Sequence, residues 1–379
     1  MDTAPSRIAS YCTSPSWGGL EMNVIRFLGW MKERGWDVIF YGHPEARMYA
    51  EAALAGVTVR PVKPTLRAGD LVNAWRLARQ LELDKVDLLE IHQSPDYFVG
   101  VFALKFSRRP VKLVVSQHMH IGGTKKDVYH TWLYRQFDAW VTPVSWLADR
   151  VLEKTVIPPE RIHIIPRGIV LDRFTSGKPT RAEARAYYDL PADAAVIGLV
   201  GRLDPKKCQD VVIRALAGVH AAGHHPHLLL VGDQSHDEGD EYAALLHRLV
   251  DELKLEGFVH FHPHDDTVER AYAALDIFTM ASQSECYGMV TIEAMAAGVP
   301  LIGTNEGGTI SLIDHERNGL MVTPRKVEET AQGLLRLLEN PDLAARLAEE
   351  ARREALAKYG HIRQCELWEK LFRKLGIER

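Results

Sequence analysis

Short runs of apolar and β-branched residues recur through most of the chain, separated by amphipathic stretches whose apolar residues fall three and four apart. That alternation is the signature of βα units feeding a parallel sheet. It predicts strands at "RIASYC", "DVIFYG", "VTVRPV", "VDLLEIH", "VKLVVSQ", "AWVTPVS" and "RIHIIP". A second set begins near "AAVIGLVG" and continues through "HLLLVG", "FVHFHP", "DIFTM", "VPLIG" and "GLMVT". Two sheets follow. The stretch between the sets, "RGIVLDRFTSGKPTRAEARAYYDLPADA", is rich in charge, Pro and Gly and reads as a linker plus a helix, which puts the domain boundary close to Asp172. From Pro341 onward the period is helical, and Leu367, Trp368, Leu371, Phe372 and Leu375 form an apolar stripe that must bury against something.

Length and composition agree with this division. A chain of 379 residues exceeds what one hydrophobic core usually serves. Its 46% hydrophobic and 25% charged residues are ordinary for a globular protein. A net charge of -4 gives no global attraction to nucleic acid or anionic lipid, so such a contact would need a local patch. Cys12, Cys208, Cys286 and Cys365 are far apart and form no C-x-x-C pair, which argues against a disulfide framework or a zinc knuckle and fits a reducing cytoplasm. The chain shows no signal-like start and no apolar segment of membrane-spanning length, so the expected location is cytoplasmic, with peripheral contact at the inner face of a membrane left open.

Three places carry candidate chemistry. Near the N-terminus Gly18 and Gly19 join a strand to a helix with Leu20, Val24, Leu28 and Met31 on one stripe, which is either a tight βα turn or a place where backbone amides approach an anion. In "LVGRLDPKKCQD", Arg202 and Lys207 flank an Asp-Pro loop at the end of a strand; they form either a solvated basic loop or a pair of cations that neutralise a diphosphate. In "SECYGMVTIEAMAAGVP", Glu285 precedes a turn at Cys286, Tyr287 and Gly288, and Glu293 lies well along the helix that follows. Two carboxylates so placed can accept hydrogen bonds from different hydroxyls of one elongated ligand; the alternative is a cation partner and a solvent-facing residue. Neither G-x-x-x-x-G-K-[ST] nor a strand-borne G-x-G-x-x-G occurs, which withdraws support from P-loop kinases and dinucleotide dehydrogenases.

Taken together and in order, the Gly-Gly turn, "GRLDPKK", "SECYGMVTIEAMAAGVPLIGT" and "EGGTISLIDHERNGLMV" resemble the retaining glycosyltransferases of family 4 along essentially the whole chain. The resemblance implies the α/β GT-B architecture: an acceptor-binding Rossmann-like domain over 1–172, a donor-binding one over 173–360 facing it across a cleft, and a last helix, about 361–379, crossing back to the first domain. It implies transfer of a hexose from a nucleoside-diphosphate sugar to a hydroxyl of a glycan, glycolipid or small acceptor, with retention of configuration, in cell-surface polysaccharide or lipopolysaccharide synthesis. Arg202 and Lys207 would hold the diphosphate with Gly18 and Gly19 close to it. Glu285 would contact the transferred sugar, and Glu293 the ribose. Tyr287, Gly288, Met289, Val290 and the backbone at His264 would complete the donor set. "VVSQHMH" matches the family strand that ends in a sugar-facing histidine at His118, with His120 its neighbour. The leaving phosphate itself would take the acceptor proton. Ser311, where many relatives carry a glutamate, and Arg167 with an extra residue in "IIPRGIVLDRF" depart from the pattern and touch donor preference and the hinge.

His260, His262 and His264 alternate in "HFHPH" and could share a strand face as a metal site, but Pro263 interrupts the run. No D-x-D motif occurs, so no metal or other cofactor is expected, and the cations and helix amides would take a bridging ion's place. In "HIGGTKKDVYHTWLYRQFDAW" basic and aromatic residues mix; the stretch is either a helix with an aromatic core stripe or an acceptor surface in which Lys125, Lys126 and His120 meet a glycan or phosphorylated headgroup. Its basic groups are few and offset by acids, against nucleic acid as partner. Two other readings of the chain are a nucleotide-sugar epimerase on the same architecture and a nucleotide-sugar-binding protein without catalysis.

Overall fold

A computed structural model describes residues 6–66, 69–234 and 241–379. It divides into one unit that runs to Gly168 and includes His361–Arg379, and a second, Ile169–Gly360. The first unit runs β1 (Arg7–Cys12), α1 (Gly19–Glu33), β2 (Asp37–Gly42), α2 (Arg47–Leu54), β3 (Thr58–Pro61), α3 (Leu71–Leu83), β4 (Leu88–Ile91), α4 (Ser94–Phe106), β5 (Lys112–Ser116), α5 (Val128–Tyr134), β6 (Ala139–Thr142), α6 (Ser145–Lys154) and β7 (Ile162–Ile164). The second runs α7 (Leu171–Phe174), α8 (Arg181–Tyr187), β8 (Val196–Val200), α9 (Gln209–Ala221), β9 (His227–Val231), α10 (Glu241–Glu252), β10 (Val259–His262), α11 (Glu269–Ala274), β11 (Ile277–Met280), α12 (Met289–Ala297), β12 (Leu301–Thr304), β13 (Leu320–Val322), α13 (Val327–Glu339) and α14 (Pro341–Lys358). The last helix, α15 (His361–Lys374), belongs to the first unit.

Each unit holds one parallel sheet, of seven strands in the order β3-β2-β1-β4-β5-β6-β7 and of six in the order β10-β9-β8-β11-β12-β13. Helices cover both faces, which is why the strands read as unbroken apolar runs rather than alternating ones. In the first unit Ile8, Leu88 and Val114 pack with Val24, Leu28 and Trp368 on one side, whereas Ala9, Leu89 and Val115 pack with Leu77, Leu81 and Val101 on the other. The second unit's core is built from Ile197, Leu199, Leu228 and Leu230 against Val212, Leu216, Leu246 and Leu334.

From Ile169 on, the stretch read as linker plus helix belongs to the second unit; the division falls between Gly168 and Ile169, where the sequence suggested a boundary close to Asp172. Arg185 holds α8 in that unit. Its guanidinium is buried, donates to Asp276 at 2.7 Å, and also donates to the carbonyls of Ala274 and Pro191, so α8 is fixed to the amino end of the central strand β11. A buried cation is tolerated only when so completely partnered. Among the described residues no helix is long and apolar enough to cross a membrane.

α15 is held in the first unit by its apolar stripe. Trp368 stacks on Phe27 of α1 with ring centroids 5.1 Å apart, and Phe372 meets Trp36 edge-on at 5.2 Å. Arg34 grips Glu369 through two hydrogen bonds of 2.9 and 2.8 Å. Removing a fully buried indole leaves a cavity that the neighbouring rings cannot refill, so Trp368→Ala should lower the first unit's unfolding free energy by about 3–5 kcal/mol. Denaturant unfolding followed through near-ultraviolet circular dichroism checks this, and Leu367→Ala at the partly buried flank should cost clearly less.

Candidate functional site

In an open α/β sheet, ligands bind beyond the carboxyl ends of the strands where the strand order reverses direction. In the second unit that point lies between β8 and β11. The loop after β8 carries Arg202 and Lys207, and the loop after β11 carries Glu285. Asp204 accepts a hydrogen bond from the backbone N–H of Lys206 at 2.8 Å, and Pro205 opens a 3-10 turn over Pro205–Lys207. This is the turn chemistry the Asp-Pro pair supplies. The turn brings Lys207 Nζ to 2.5 Å from Glu285 Oε2, joining the two loops across the switch point. Arg202 is exposed, and among the described residues its guanidinium has no protein partner. Its carbonyl is fixed by the buried Gln209 of α9, which donates from Nε2 at 2.8 Å.

The Glu285 loop is secured from below. Gln283 N–H donates to the carbonyl of Lys206 at 2.9 Å, and Gly308 N–H to that of Glu285 at 2.6 Å. Gly307 has φ +66°, and a Cβ there would stand 2.4 Å from the Glu285 carbonyl oxygen; one on Gly308 would stand 2.2 Å from that of Cys286. The Gly pair of "EGG" is thus the floor on which the carboxylate loop rests. Burial would push the Glu285 carboxyl up, but the Lys207 ammonium, the Cys286 amide and the Ser282 hydroxyl outweigh it and hold the group below the usual carboxylate range.

Gly288, with φ +86°, caps α12 and leaves the first amides of that helix without intrahelical partners. Tyr287 is buried, and Met289 and Val290 are half-buried. Glu293 lies along α12, inward of the turn. It is 8% exposed and already accepts a hydrogen bond of 2.8 Å from Tyr272 of α11. Burial, then the Glu293 carboxylate, push the Tyr272 phenol far above its ordinary range. Tyr272 carries no sequence signal beyond lying on a helix. His264 is exposed and its backbone N–H donates to Asp233 at 2.9 Å. The three alternate histidines do not converge: His260 bonds His227 at 2.9 Å, and His262 packs against the rings of Tyr187 and Tyr188. Among the described residues no group of three or more ligating side chains gathers for a metal.

The first unit carries the remaining candidates. Gly18 is extended, and its N–H donates at 3.0 Å to Glu21 in the first turn of α1, so that amide is already engaged with a carboxylate. Ser14 donates to the other Glu21 oxygen at 2.5 Å. A Cβ on Gly19 would meet nothing within 4 Å, so nothing inside the chain requires glycine there. His118 follows β5 and is buried. His120, Lys125 and Lys126 lie on the segment between β5 and α5, with His120 and Lys126 exposed and Lys125 half-buried. That segment is tied down by Lys154, which donates to the carbonyls of Ile121 and Gly122 at 2.9 and 2.7 Å. The aromatic stripe after it divides: Tyr134 and Phe137 join Tyr97 and Trp140 in the core, while Tyr129 and Trp132 are exposed.

A row of polar residues continues the apolar stripe on the α1 face of this sheet. Ser10 follows Ile8, Glu90 and His92 follow Leu88, and Ser116 and His118 follow Val114, each two positions on and so on one face. Ser10 pairs with Glu90 in register. Glu90, His92, Ser116 and His118 line a small pocket with Asn23, Gln117, Arg167 and Gln364. Burial pushes the Glu90 carboxyl up to about 8, though the Ser116 hydroxyl and the Arg167 charge oppose it. Burial and then Arg167 push His92 down to about 3 and His118 well below its ordinary value. The signal for Glu90 and His92 was an acid and a histidine at alternate positions inside an otherwise apolar strand, "VDLLEIH".

These two Rossmann-like units are those of the GT-B class of α/β proteins. Two family models divide the chain between them: "Glycosyltransferase Family 4" matches residues 17–173, and "Glycosyl transferases group 1" matches 180–354. The chain belongs to glycosyltransferase family 4. A D-inositol 3-phosphate glycosyltransferase of Saccharomonospora viridis is 32% identical over 213 residues, 55% of this chain and 49% of that protein. The chain thus spans about half the length of the curated relatives it matches. Among solved structures, a glycosyltransferase from Rickettsia africae is 19% identical with a TM-score of 0.89, covering 98% of this chain and 99% of that one. HepE of Anabaena in complex with UDP is 21% identical with a TM-score of 0.83, covering 97% and 99%. At those identities the structures establish the fold.

The floor under Glu285 is open to a direct test. Gly308→Ala forces a methyl group against a backbone oxygen, so the Glu285 loop must move, at a cost of about 1–3 kcal/mol. Thermal unfolding should show that loss, whereas Gly19→Ala, with open space at its Cβ, should leave the melting temperature unchanged.

Proposed function

We propose that the chain moves a hexose from a nucleoside-diphosphate sugar to an acceptor hydroxyl, with retention of configuration and without a metal ion. The observation that carries this reading is the Lys207–Glu285 pair at the switch point of the second sheet, with the exposed cation Arg202 on the same loop as Lys207. A diphosphate carries enough negative charge to draw Lys207 from Glu285 toward itself. Arg202, Lys207 and the first amides of α12 then neutralise the leaving diphosphate as its charge grows, which is the interaction that lowers the barrier. Glu285, relieved of its cation, accepts hydrogen bonds from hydroxyls of the transferred sugar. Glu293, steadied by Tyr272, takes the ribose hydroxyls. His118 hydrogen-bonds the sugar, and Gly19 offers the amide that Glu21 leaves unused. A leaving phosphate oxygen takes the acceptor proton, so the site needs no separate base.

UDP is the nucleotide we assign, supported by the UDP and UDP-glucose bound in the HepE structures. For the acceptor we assign a phosphorylated or otherwise anionic polyol or glycan. The names of relatives acting on D-inositol 3-phosphate support this, as do the accessible Lys126 and His120.

A thermal-shift series with UDP-, GDP- and ADP-sugars tests the donor. A ligand at a hundred times its dissociation constant stabilises the native state by about 2.7 kcal/mol. The UDP-sugar should therefore raise the melting temperature by several degrees, and Lys207→Ala should abolish that rise. In transfer assays Lys207→Ala and Glu285→Ala should each lower kcat/KM by about a hundredfold or more while the fold is kept. Near-normal turnover in either variant would refute the assignment, and epimerisation of free donor without acceptor would replace transfer with another reaction.

A further inference from the structure

Ser10, His92 and His118 stand in line along the polar row of the first unit. Ser10 Oγ lies 2.6 Å from His92 Nε2, and His92 Nδ1 lies 3.2 Å from His118 Nε2, the two rings meeting edge-on. All three residues are buried. A neutral imidazole carries one N–H and one lone pair, so the two rings cannot choose their tautomers separately. If His92 donates from Nδ1, its Nε2 accepts from Ser10, His118 accepts at Nε2, and the proton of His118 sits on Nδ1. If the direction reverses, every step reverses with it.

Ser10 decides the direction. Among the described residues its hydroxyl has no hydrogen-bond partner other than His92. The Glu90 oxygen nearest His92 is 3.9 Å from that ring and has no hydrogen-bond partner of its own. One hydrogen of the chain stays unbonded in either direction: donation by the serine to His92 Nε2 leaves it on Nδ1 of His118, a residue that lines the pocket, where a ligand oxygen can accept it, whereas the reverse leaves it on the fully buried Ser10 hydroxyl, which does not line that pocket.

We propose that Ser10 and His92 are positioning residues that lock His118 as the Nδ1–H tautomer, so that His118 offers a hydrogen-bond donor to an oxygen acceptor of the ligand. Nδ1 is buried, has no hydrogen-bond partner among the described residues, and lies on a residue that lines the pocket with Asn23, Gln117 and Arg167. The groups that face the chain are Glu90 and Arg167. Burial and the Arg167 charge keep both rings neutral, which the chain requires, because an added proton would set one N–H against another. A ring fixed in this way positions and cannot act as a general base through Nδ1. The proposal rests on His118 facing the sugar, and its test separates the two.

The test is a long-range proton–nitrogen correlation spectrum of protein labelled with 15N-histidine, the two rings assigned with His92→Gln and His118→Gln. Both rings should show a protonated Nδ1 and a bare Nε2 at neutral pH. Ser10→Ala should release the lock, so that both rings become tautomer mixtures together and kcat/KM falls about tenfold; Ser10→Thr, which keeps the hydroxyl, should restore both. A protonated Nε2 on either ring of the native protein, or rings that respond independently to Ser10→Ala, overturns the proposal. Normal turnover by His118→Ala overturns instead the sugar-facing role, whatever the spectrum shows.

Discussion

The account depends on one contact, the Lys207–Glu285 ion pair that spans the loops after β8 and β11. The strand order makes those two loops neighbours, because the sheet reverses direction between β8 and β11 and leaves a crevice there. The pair is half-buried, so its attraction is set against the cost of desolvating both charges, and it adds little to stability on its own. Here several independent supports converge on it: the Asp204 turn under Lys207, the Gln283 to Lys206 bond, and the close-packed Gly307 and Gly308 under Glu285. Supports of that kind fix where a cation and a carboxylate stand before any ligand arrives, and a preorganised charge avoids the reorganisation that flexible groups must undergo.

The first unit has the same architecture and a different interior. Its reversal lies between β1 and β4, and there Thr13 after β1 donates through N–H and hydroxyl to Asp96 at the start of α4, at 3.1 and 2.5 Å. Those two bonds tie the loop after β1 to the start of α4. Beside it the polar row of Ser10, Glu90, His92 and His118 is buried and tends to neutrality, the opposite of the charged rim of the second unit. One unit is arranged to meet charge, and the other to present hydrogen bonds of fixed direction.

Much of this was legible in the sequence. Thirteen apolar runs became the thirteen strands of the two sheets, because a strand covered on both faces leaves a continuous apolar signature that a helix of the same length rarely imitates. Glu285, Lys207 and Arg202 stood out because charged residues flanked by Gly and Pro at a strand end have few structural reasons to be there. Other features left weaker traces. Arg185 looked like one more charge on a linker, since nothing local shows that its guanidinium is buried against Asp276. Glu293 and Tyr272 share a bond across two helices, which no spacing within either reveals. The relay from Ser10 to His118 joins three strand ends that lie far apart in sequence and meet only once the parallel order is known.

A crystal structure of the protein with a bound UDP-sugar would show where Lys207 goes when a diphosphate is present. The account predicts the diphosphate at the carboxyl ends of β8 and β11, with Lys207 turned from Glu285 to a phosphate oxygen, Arg202 beside it, and Glu285 on a sugar hydroxyl. A nucleotide seated elsewhere while Lys207 stays on Glu285 would contradict it.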